Sequence, residues 1–214
     1  MQRKTTQRTF WEGSFGNAYI GRNKQEDKTL DDLYKKLYGV SRTVMNRTLL
    51  EKLPRDIRIL EVGANYGTQL HHLQRMGFKN LYGIDVNKKA IELSHKTFKD
   101  IWILYGDALD LPFKDGSFDL VCTSGVLIHI APKNVKKAMS EIHRVSKRYI
   151  WGFEYFEEKV TTINYRGNKN VLWKAPFAKE YLEAFSDLSL VKEQKYPYRE
   201  TDNVDSMYLL KKRA

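Results

Sequence analysis

The sequence is poor in the residues that build covalent and thiolate scaffolds, and it has no long apolar run. It contains one cysteine, Cys122, and five prolines among 214 residues. One cysteine excludes an internal disulfide and a zinc site built on several thiolates, and it suits a reducing compartment. Residues 1–10 are polar and basic, and no later window approaches about 18 continuous apolar residues. We therefore expect a soluble, cytoplasmic protein with no membrane partner and no metal.

The sequence does have enough apolar material for a core, and it has an excess of positive charge. Apolar residues make up 42% of the chain and aromatic residues 13%, which is typical of a folded domain rather than a disordered chain. The length fits one domain with a modest elaboration. Lys and Arg number 37 against 26 Asp and Glu, a formal net charge of +11. That sign favours acidic partners, including phosphates, carboxylates and nucleic acid.

An alternation of two patterns predicts the fold class from Arg58 onward. Short β-branched or aromatic runs alternate with longer segments of helical periodicity, which is typical of βαβ units and a parallel sheet. We expect an α/β fold with short, buried strands and a terminal hairpin. The predicted strands are Arg58–Val62, Leu81–Ile84, Ile101–Tyr105, Phe118–Cys122, Tyr149–Phe153, Leu188–Glu193 and Met207–Leu210, and the predicted helices are Thr68–Met76, a helix capped by Asn87, Pro132–Val145 and Lys179–Phe185.

Two segments fall outside this alternation. Residues 1–56 are expected to form an N-terminal cap, in which 30–53 is helical in pattern and the aromatic, glycine-rich stretch 10–23 is expected to be irregular. Residues 154–177, approximately, look like an insertion between the fifth strand and the next helix. Because the crevice of such a sheet lies beyond the carboxyl ends of its strands, we expect these two segments to build the substrate pocket.

The strongest local motif is Glu61-Val-Gly-Ala-Asn-Tyr-Gly67, placed where the first strand gives way to the first helix. Glycines at such a junction allow a tight turn and let a ligand approach the backbone amides at the helix N-terminus. The motif therefore predicts a nucleotide or cofactor loop. Its spacing, G-x-N-x-G, matches neither the dinucleotide fingerprint nor a P-loop, since no Gly-Lys-Ser or Gly-Lys-Thr follows.

Two acids at the ends of later strands strengthen this prediction. Asp85 lies 22 residues after Gly63, where a carboxylate can accept both ribose hydroxyls of an adenosine. Asp107 ends the third strand, at a position that could receive an adenine amino group. Taken singly, Asp85 could instead cap the helix near Asn87, and Asp107 could make an Asx turn. Taken together, in order and at successive strand ends, they favour one nucleoside site.

This set of motifs resembles the class I S-adenosyl-L-methionine-dependent methyltransferases of the type 11 kind, over about residues 57–155. The run Leu111–Val121 is similar to the segment before the fourth strand in small-molecule members, whereas Asn65 replaces the central glycine of the usual loop. The closest resemblance, over nearly the whole chain, is to the methylases associated with pseudaminic acid biosynthesis. It rests on Glu61–Gly67 together with Phe10–Asn17, Ser124–Ile130 and Tyr165–Gly167.

The resemblance implies a Rossmann-like fold with a mostly parallel seven-stranded sheet, an antiparallel C-terminal strand and helices on both faces. Residues 57–214 would form the cofactor-binding methyltransferase domain, and S-adenosyl-L-homocysteine would be the product. The implied cofactor-binding residues are Gly63, Asn65 and Gly67 at the methionine, Glu61 in the same motif, Asp85 and Val86 at the ribose, Asp107 and Ala108 at the adenine, Ser124 at the amino group through its carbonyl, and Tyr19 and Arg22 closing over the carboxylate.

Four further residues are candidates on the acceptor side. His129 follows the fourth strand in an apolar run, so it is expected at the rim of the crevice, where an imidazole could take a proton from an acceptor hydroxyl or amine. Equally, it could be a helix-cap or core histidine bonded to backbone. Arg166 beside Tyr165, and Tyr155 on the insertion, could hold an acidic sugar or phosphate. A solvated loop charge is the alternative for Arg166.

The sequence therefore predicts an enzyme that methylates oxygen or nitrogen of a small polar, acidic molecule, such as a sugar or a nonulosonic acid pathway intermediate. The alternatives are an RNA or protein methyltransferase with the same cofactor site, and a non-catalytic nucleotide-binding module. The helix after Pro132 has a basic face that would serve RNA. Nucleic acid is the less favoured partner because no stacking module accompanies that charge.

Overall fold

The computed structural model describes residues 4–23 and 27–213. Over these residues the chain forms helices and strands that alternate from Arg58 onward, as predicted. The helices are α1 Thr6–Glu12, α2 Ser14–Asn23, α3 Asp27–Tyr38, α4 Arg42–Leu50, α5 Thr68–Arg75, α6 Lys88–Thr97, α7 Pro132–Val145 and α8 Phe177–Ala184; the strands are β1 Arg58–Val62, β2 Asn80–Asp85, β3 Ile101–Tyr105, β4 Phe118–Ser124, β5 Ser146–Tyr155, β6 Thr161–Tyr165, β7 Asn168–Lys174, β8 Leu188–Pro197 and β9 Val204–Lys212.

Seven of these strands form one sheet in the order β3-β2-β1-β4-β5-β9-β8. Strands β1 to β5 pair in parallel, and β9 runs antiparallel between β5 and β8. The prediction of a mostly parallel seven-stranded sheet with an antiparallel C-terminal strand is confirmed. Apolar clusters cover both of its faces, one built with α7 and α8 and the other with α4 and α5.

The central strands are buried because helices cover both of their faces, so their sequences are nearly continuous apolar runs. Strand β3 differs, because it is the edge of the sheet. There Trp102 is 62% exposed and Leu104 is 54% exposed, so the expectation that every strand is buried was wrong for β3. The Asn87 cap was predicted correctly, since its side chain accepts a hydrogen bond from the Ala90 amide.

The stretch 10–23 is helical rather than irregular, which corrects the sequence-based expectation. Helix α1 begins after Thr5, whose side chain accepts from the Arg8 amide, and a break at Gly13 leads into α2. The aromatic residues Trp11, Phe15 and Tyr19 recur every four residues, and the Trp11 ring packs edge-on against both of the others. That spacing is a helical signal, which the glycine content obscured.

Two other segments are more structured than expected. The helical stretch 30–53 is divided into α3 and α4 at Gly39, which has a φ of +78°, and Ser41 caps α4. Within 154–177, β5 extends to Tyr155 and an antiparallel hairpin of β6 and β7 follows. The division into a cap over 1–56 and a main domain over 57–214 stays a prediction. Within the described ranges, no helix is both long enough and apolar enough to cross a bilayer.

Candidate cofactor and acceptor site

A cleft opens at the carboxyl ends of β1 to β4, beneath the cap helices α1 and α2. It brings together residues from three successive strand ends, Gly63, Asp85 and Asp107, which are far apart in the sequence. Parallel strands deliver their carboxyl ends to one edge of the sheet, so this convergence follows from the topology. Of the predicted site residues, Tyr19, Gly63, Asn65, Asp85, Val86, Asp107, Ala108, Ser124 and His129 line this cleft.

The glycine-rich loop forms the floor of the cleft. Gly63 has a φ of +72°, and a Cβ atom there would lie 2.6 Å from Cγ2 of Val126. The amides of Gly63 and Ala64 both donate to the Ile84 carbonyl at 2.9 Å, which ties β1 to β2. Asn65 has a φ of +51°, a conformation that asparagine tolerates better than most side chains. This is the physical reason that Asn65 can replace a glycine in the loop.

Asp85 fixes this loop from the neighbouring strand. Its Oδ2 accepts from the Asn65 amide and its Oδ1 from the Asn87 amide, both at 2.7 Å. Burial raises the pKa of Asp85, and the hydrogen bonds from backbone amides oppose that rise. The helix cap itself is Asn87, whereas Asp85 lines the cleft and joins the loop after β1 to the segment after β2.

Asp107 makes the Asx turn that was the alternative to its predicted adenine role, and it also contacts the cap. Its Oδ1 accepts from the Leu109 amide at 2.9 Å, and its Oδ2 accepts from Nη1 of Arg8 at 2.9 Å. Arg8 also donates to Glu12 and to the hydroxyl of Tyr105. The first helix of the cap is therefore anchored at the end of β3 where an adenine is expected.

Both helices of the cap also contact Asn87, which follows β2. The Nδ2 atom of Asn87 donates to the Trp11 carbonyl at 2.9 Å and to Oδ1 of Asn17 at 3.1 Å. Gly16 allows α2 to approach α1, because a Cβ there would lie 1.9 Å from the Trp11 carbonyl oxygen. Sequence reasoning missed Trp11 as a residue that lines the cleft, although the four-residue spacing of the aromatic residues was visible.

A second cavity continues from the cleft, past Gly63, Asn65 and Ser124, between α3 and the ends of β4, β5 and β9. Its described lining is rich in tyrosine, with Tyr19, Tyr34, Tyr38, Tyr155, Tyr165 and Tyr198. His129 lines both spaces. The two spaces therefore meet at a junction. The cleft is the predicted adenosine side, and the tyrosine-rich cavity is the predicted acceptor side.

Similarity to known proteins indicates which kind of domain contains this cleft. The family model for a methyltransferase domain matches residues 60–149, from β1 into β5. These residues form a methyltransferase domain. Within a similar span, the chain is 31% identical over 90 residues to an uncharacterized methyltransferase of Synechocystis, covering 42% of each protein. The chain spans about two-fifths of the first curated relatives that it matches, 39% and 42% of their lengths.

Two longer matches extend the likeness beyond the methyltransferase domain. An uncharacterized protein of Methanocaldococcus jannaschii is 28% identical over 180 residues, which is 77% of this chain and 82% of that protein. The 1,6-didemethyltoxoflavin-N1-methyltransferase of Burkholderia thailandensis superposes with a TM-score of 0.68 at 14% identity, over 93% of this chain and 85% of that one. The fold is therefore that of the class I S-adenosyl-L-methionine-dependent methyltransferases.

The match to a methyltransferase domain indicates that the cofactor is S-adenosyl-L-methionine. The residues around the cleft fit this cofactor. Glu61 is 3% exposed, and its Oε2 is buried with no hydrogen-bond partner among the described atoms. Burial raises the pKa of Glu61 to about 8, against an opposing effect of Arg42, while Asp85 raises it further. A buried acid with an unused oxygen can receive a ligand ammonium group, and Glu61 lines the second cavity together with Gly63 and Asn65.

Arg42 of α4 is a buried cation that sequence reasoning missed, and it is hydrogen-bonded to Gln69 and Ser124, which line the cavity. It is 1% exposed, and its guanidinium lies 4.2 Å from the Phe153 ring centroid. Its Nε donates to Oε1 of Gln69 at 2.9 Å and its Nη2 to Oγ of Ser124 at 3.0 Å. Nothing in the local sequence distinguishes Arg42 from the surface arginines, because its partners come from distant segments.

His129 is held in one tautomer. Its Nδ1 lies 2.7 Å from the Val171 carbonyl oxygen, and because a carbonyl only accepts, Nδ1 carries the proton and Nε2 has the lone pair. Burial lowers the pKa of His129 to about 4, although the Val171 contact opposes that fall. The ring lies 4.5 Å from Trp11 and 5.3 Å from Tyr165, measured between centroids. His129 is therefore neutral at physiological pH.

Three predicted residues lie outside the lining of both spaces. Arg22 is exposed, with its guanidinium 5.2 Å from the Phe15 ring. Gly67 is the N-cap residue of α5 and has a φ of +98°. A Cβ atom at this position would point toward Ile103 rather than into the cleft. Arg166 is exposed at the turn between β6 and β7. By contrast, Tyr155 and Tyr165 both line the tyrosine-rich cavity.

Proposed function

We propose that this protein transfers a methyl group from S-adenosyl-L-methionine to oxygen or nitrogen of a small polar molecule. The observation that carries the proposal is the common cleft of Gly63, Asp85 and Asp107, which continues into a second cavity under the cap. When bound, S-adenosyl-L-methionine supplies an electrophilic methyl group on its sulfonium. The residues of the chain bind, orient and enclose the two reactants, and such positioning can supply roughly 7–11 kcal/mol of the barrier in favourable cases.

Each part of the cofactor has candidate partners in the cleft. Asp85 would accept hydrogen bonds from the ribose hydroxyls, with Val86 beside it, and Asp107 and Ala108 would face the adenine. At the other end, the loop from Gly63 to Asn65 and the Ser124 carbonyl would surround the methionine. Glu61 would receive its amino group, and Arg42, which holds Ser124 from behind the lining, would attract its carboxylate through space.

His129 is the candidate for receiving the proton that leaves the acceptor. Its Nε2 has the lone pair, and the ring stands between the two spaces. With a pKa near 4, the imidazole is a weak base, so it orients an acceptor hydroxyl or amine more effectively than it retains a proton. A modest contribution suffices, because the sulfonium is already a strong electrophile.

The finer proposal for the acceptor is an acidic sugar or a nonulosonic acid pathway intermediate. Its support is the resemblance of the motifs, the net charge of +11 and the guanidinium of Arg166, which lies 5.9 Å from the centroid of the Tyr165 ring, a ring that lines the cavity. In this arrangement the acidic group of the acceptor would face outward to Arg166, and the remainder would enter the cavity between Tyr155 and Tyr165.

Calorimetric titration with S-adenosyl-L-homocysteine tests the cofactor site. Asp85→Ala removes both loop hydrogen bonds and the ribose acceptor, so we expect the affinity to fall by about a hundredfold or more, since charged hydrogen bonds contribute about 1.5–3 kcal/mol each. Glu92→Ala, an exposed acid on α6, is the matched control and should bind normally. Thermal melts confirm folding of both variants. Unchanged affinity of Asp85→Ala would contradict the proposed site.

The RNA alternative rests on the exposed lysines Lys133, Lys136 and Lys137 of α7. Arg144, near the end of the same helix, is held by Glu141 and Asp115. Radiolabelled cofactor incubated with cell extract, then sorted into small molecules, RNA and protein, separates the candidates. Label in RNA, together with binding that weakens steeply as salt rises, would favour the nucleic-acid function. Cofactor binding without label in any fraction would favour a non-catalytic module.

A further inference from the structure

The far end of the tyrosine-rich cavity contains a buried carboxylate that the cofactor site does not use. Asp205 of β9 lies there together with Tyr38 of α3, Tyr155 of β5 and Tyr198, which follows β8. Tyr155 and Asp205 are directly paired in the sheet. Sequence reasoning did not single out Asp205, because it reads as an ordinary charge near a strand end.

The hydrogen bonding of Asp205 is incomplete. Asp205 is 1% exposed. Its Oδ2 accepts from the Tyr38 hydroxyl at 2.5 Å and, more weakly, from the Tyr198 hydroxyl at 3.4 Å. Its Oδ1 is buried and has no hydrogen-bond partner among the described atoms. A buried carboxylate oxygen without a donor is costly, so a ligand that donates to it would complete the site.

Among the acids of this cavity, Asp205 is the one available to a cationic donor, because Glu61, with a pKa of about 8, is mostly protonated at neutral pH and is assigned above to the cofactor. The described lining of the cavity includes Glu61, Glu154 and Asp205 and contains no lysine or arginine. Glu154 is already satisfied, because its oxygens accept from the amides of Val126 and Ile128. Burial raises the pKa of Asp205 to about 6, opposed by the Tyr38 hydrogen bond and by Arg42, so Asp205 is a carboxylate at neutral pH.

The two nearest buried cations do not occupy Oδ1 of Asp205. Arg42 directs its hydrogen bonds to Gln69, Ser124 and Tyr34. Lys174 donates from Nζ to Oδ1 of Asn203 at 2.6 Å. Both lower the pKa of Asp205 through space, and neither forms an ion pair with it among the described contacts. The free oxygen is therefore directed to a ligand rather than to the protein.

Aromatic rings surround the same carboxylate. The Tyr38 ring lies 4.7 Å from that of Tyr198 and 6.2 Å from that of Phe153, and Tyr155 lies 6.3 Å from Tyr198, measured between centroids. Aromatic faces attract organic cations through their quadrupoles. A carboxylate within a set of tyrosine rings is the combination that recognises an alkylammonium group.

We propose that Asp205, with Tyr38, Tyr155 and Tyr198, binds a protonated amine carried by the methyl acceptor. This inference deepens the proposed function and rests on it for the identity of the cavity as the acceptor side. Ser124 pairs with Phe153, and Phe153 pairs with Met207, so β9 lies two strand spacings, about 10 Å, from β4. Asp205 therefore anchors the end of the acceptor remote from the reacting atom and is a recognition residue rather than a catalytic one.

Three probes of one shape and different charge test this inference: benzylammonium, benzyl alcohol and benzoate. Each is titrated into protein saturated with S-adenosyl-L-homocysteine, with binding followed by NMR shifts or calorimetry at pH 7.5. We expect benzylammonium to bind about tenfold tighter than either of the other probes, or more, and Asp205→Asn to remove that preference. Asp202→Asn, an exposed acid before β9, makes the same charge change and should leave the preference intact.

The outcomes separate this inference from the proposed function. Benzoate binding as tightly as benzylammonium, or a preference that survives in Asp205→Asn, would overturn the amine site. The wild-type comparison stands even where Asp205→Asn does not fold. If S-adenosyl-L-homocysteine fails to bind, the proposed function fails, and the same three titrations on the cofactor-free protein still decide whether the cavity selects an ammonium group.

Discussion

The guanidinium of Arg8 lies 2.9 Å from the carboxylate of Asp107, measured from Nη1 to Oδ2, and the two residues are 99 positions apart in the sequence. Their side chains are 20% and 19% exposed. The contact joins the first helix of the cap to the end of β3, at the edge of the cleft where the adenine is expected. It therefore holds the cap closed over that end.

Replacing Arg8 should loosen this closure. We expect Arg8→Gln to speed the release of S-adenosyl-L-homocysteine by about two- to fivefold, because partly exposed ion pairs contribute up to about 1 kcal/mol. Stopped-flow dissociation measures the rate. Lys179→Gln is the control, since Lys179 forms an exposed pair with Glu183 on α8, outside the cap, and should leave the rate unchanged. Equal release rates for all three proteins would show that the contact does not hold the cap.

Gly63 should tolerate no side chain. A Cβ atom there would lie 2.6 Å from Val126 in a backbone with a φ of +72°, so Gly63→Ala suffers both overpacking and a left-handed conformation. We expect a loss of about 2–4 kcal/mol in the free energy of unfolding and cofactor affinity at least about tenfold weaker. Urea unfolding and calorimetry measure the two effects.

Two matched variants separate the causes of that loss. Gly21→Ala, in α2 with no atom within 4 Å of its Cβ position, should be neutral or stabilise the protein by up to about 1 kcal/mol. Gly63→Ala combined with Val126→Ala should recover only the overpacking part, because the left-handed backbone remains. Wild-type stability for the single Gly63→Ala variant would refute the close approach at this loop.

The sheet and its cofactor loop were predictable from the sequence because their signals are local. Strand β1, Arg58–Val62, and helix α7, Pro132–Val145, have the predicted bounds, since a buried parallel strand is a continuous apolar run and a surface helix repeats every 3.6 residues. The order of Gly63, Asp85 and Asp107 then followed from the topology of parallel strands.

The remainder of the site was not predictable because burial there depends on distant partners. Arg42 lies on a short helix and becomes buried only through Gln69 and Ser124, which are 27 and 82 residues away. Asp205 is enclosed by Tyr38, 167 residues away. In their own segments both residues resemble surface charges. Only the packing of the cap against β4, β5 and β9 buries them, with Asp205 in the lining of the cavity and Arg42 behind that lining.

His129 should affect turnover more than cofactor binding. We expect His129→Ala to lower kcat at saturating acceptor by about a hundredfold, the lower end of proton-transfer contributions, with the affinity for S-adenosyl-L-homocysteine within about twofold of wild type. His129→Asn offers a donor for the Val171 carbonyl without the imidazole lone pair, so it separates positioning from proton acceptance. Full activity in His129→Asn would make the residue a scaffold for β7, and full activity in both variants would remove it from the reaction.

Glu61 should make the stability of the apoprotein fall as pH rises. Its pKa is about 8 in the fold against 4.5 ordinarily, so between these values the native state binds a proton that the unfolded state has lost. The stabilising contribution is complete below pH 4.5 and is lost as pH rises through 8, with a slope of at most about 1.4 kcal/mol per pH unit.

Glu61→Gln removes this titration while keeping the shape of the side chain. Urea unfolding at pH 5.5, 7 and 8.5 should show that the variant becomes more stable relative to wild type at each higher pH. The other titrating groups are shared by the two proteins, so their effects cancel in the difference between the two free energies of unfolding. Glu51→Gln, an exposed acid at the end of α4, should track wild type at every pH. A constant difference between Glu61→Gln and wild type across this range would mean that Glu61 is ionised throughout, and that its unpartnered oxygen is compensated within the protein rather than awaiting a ligand ammonium group.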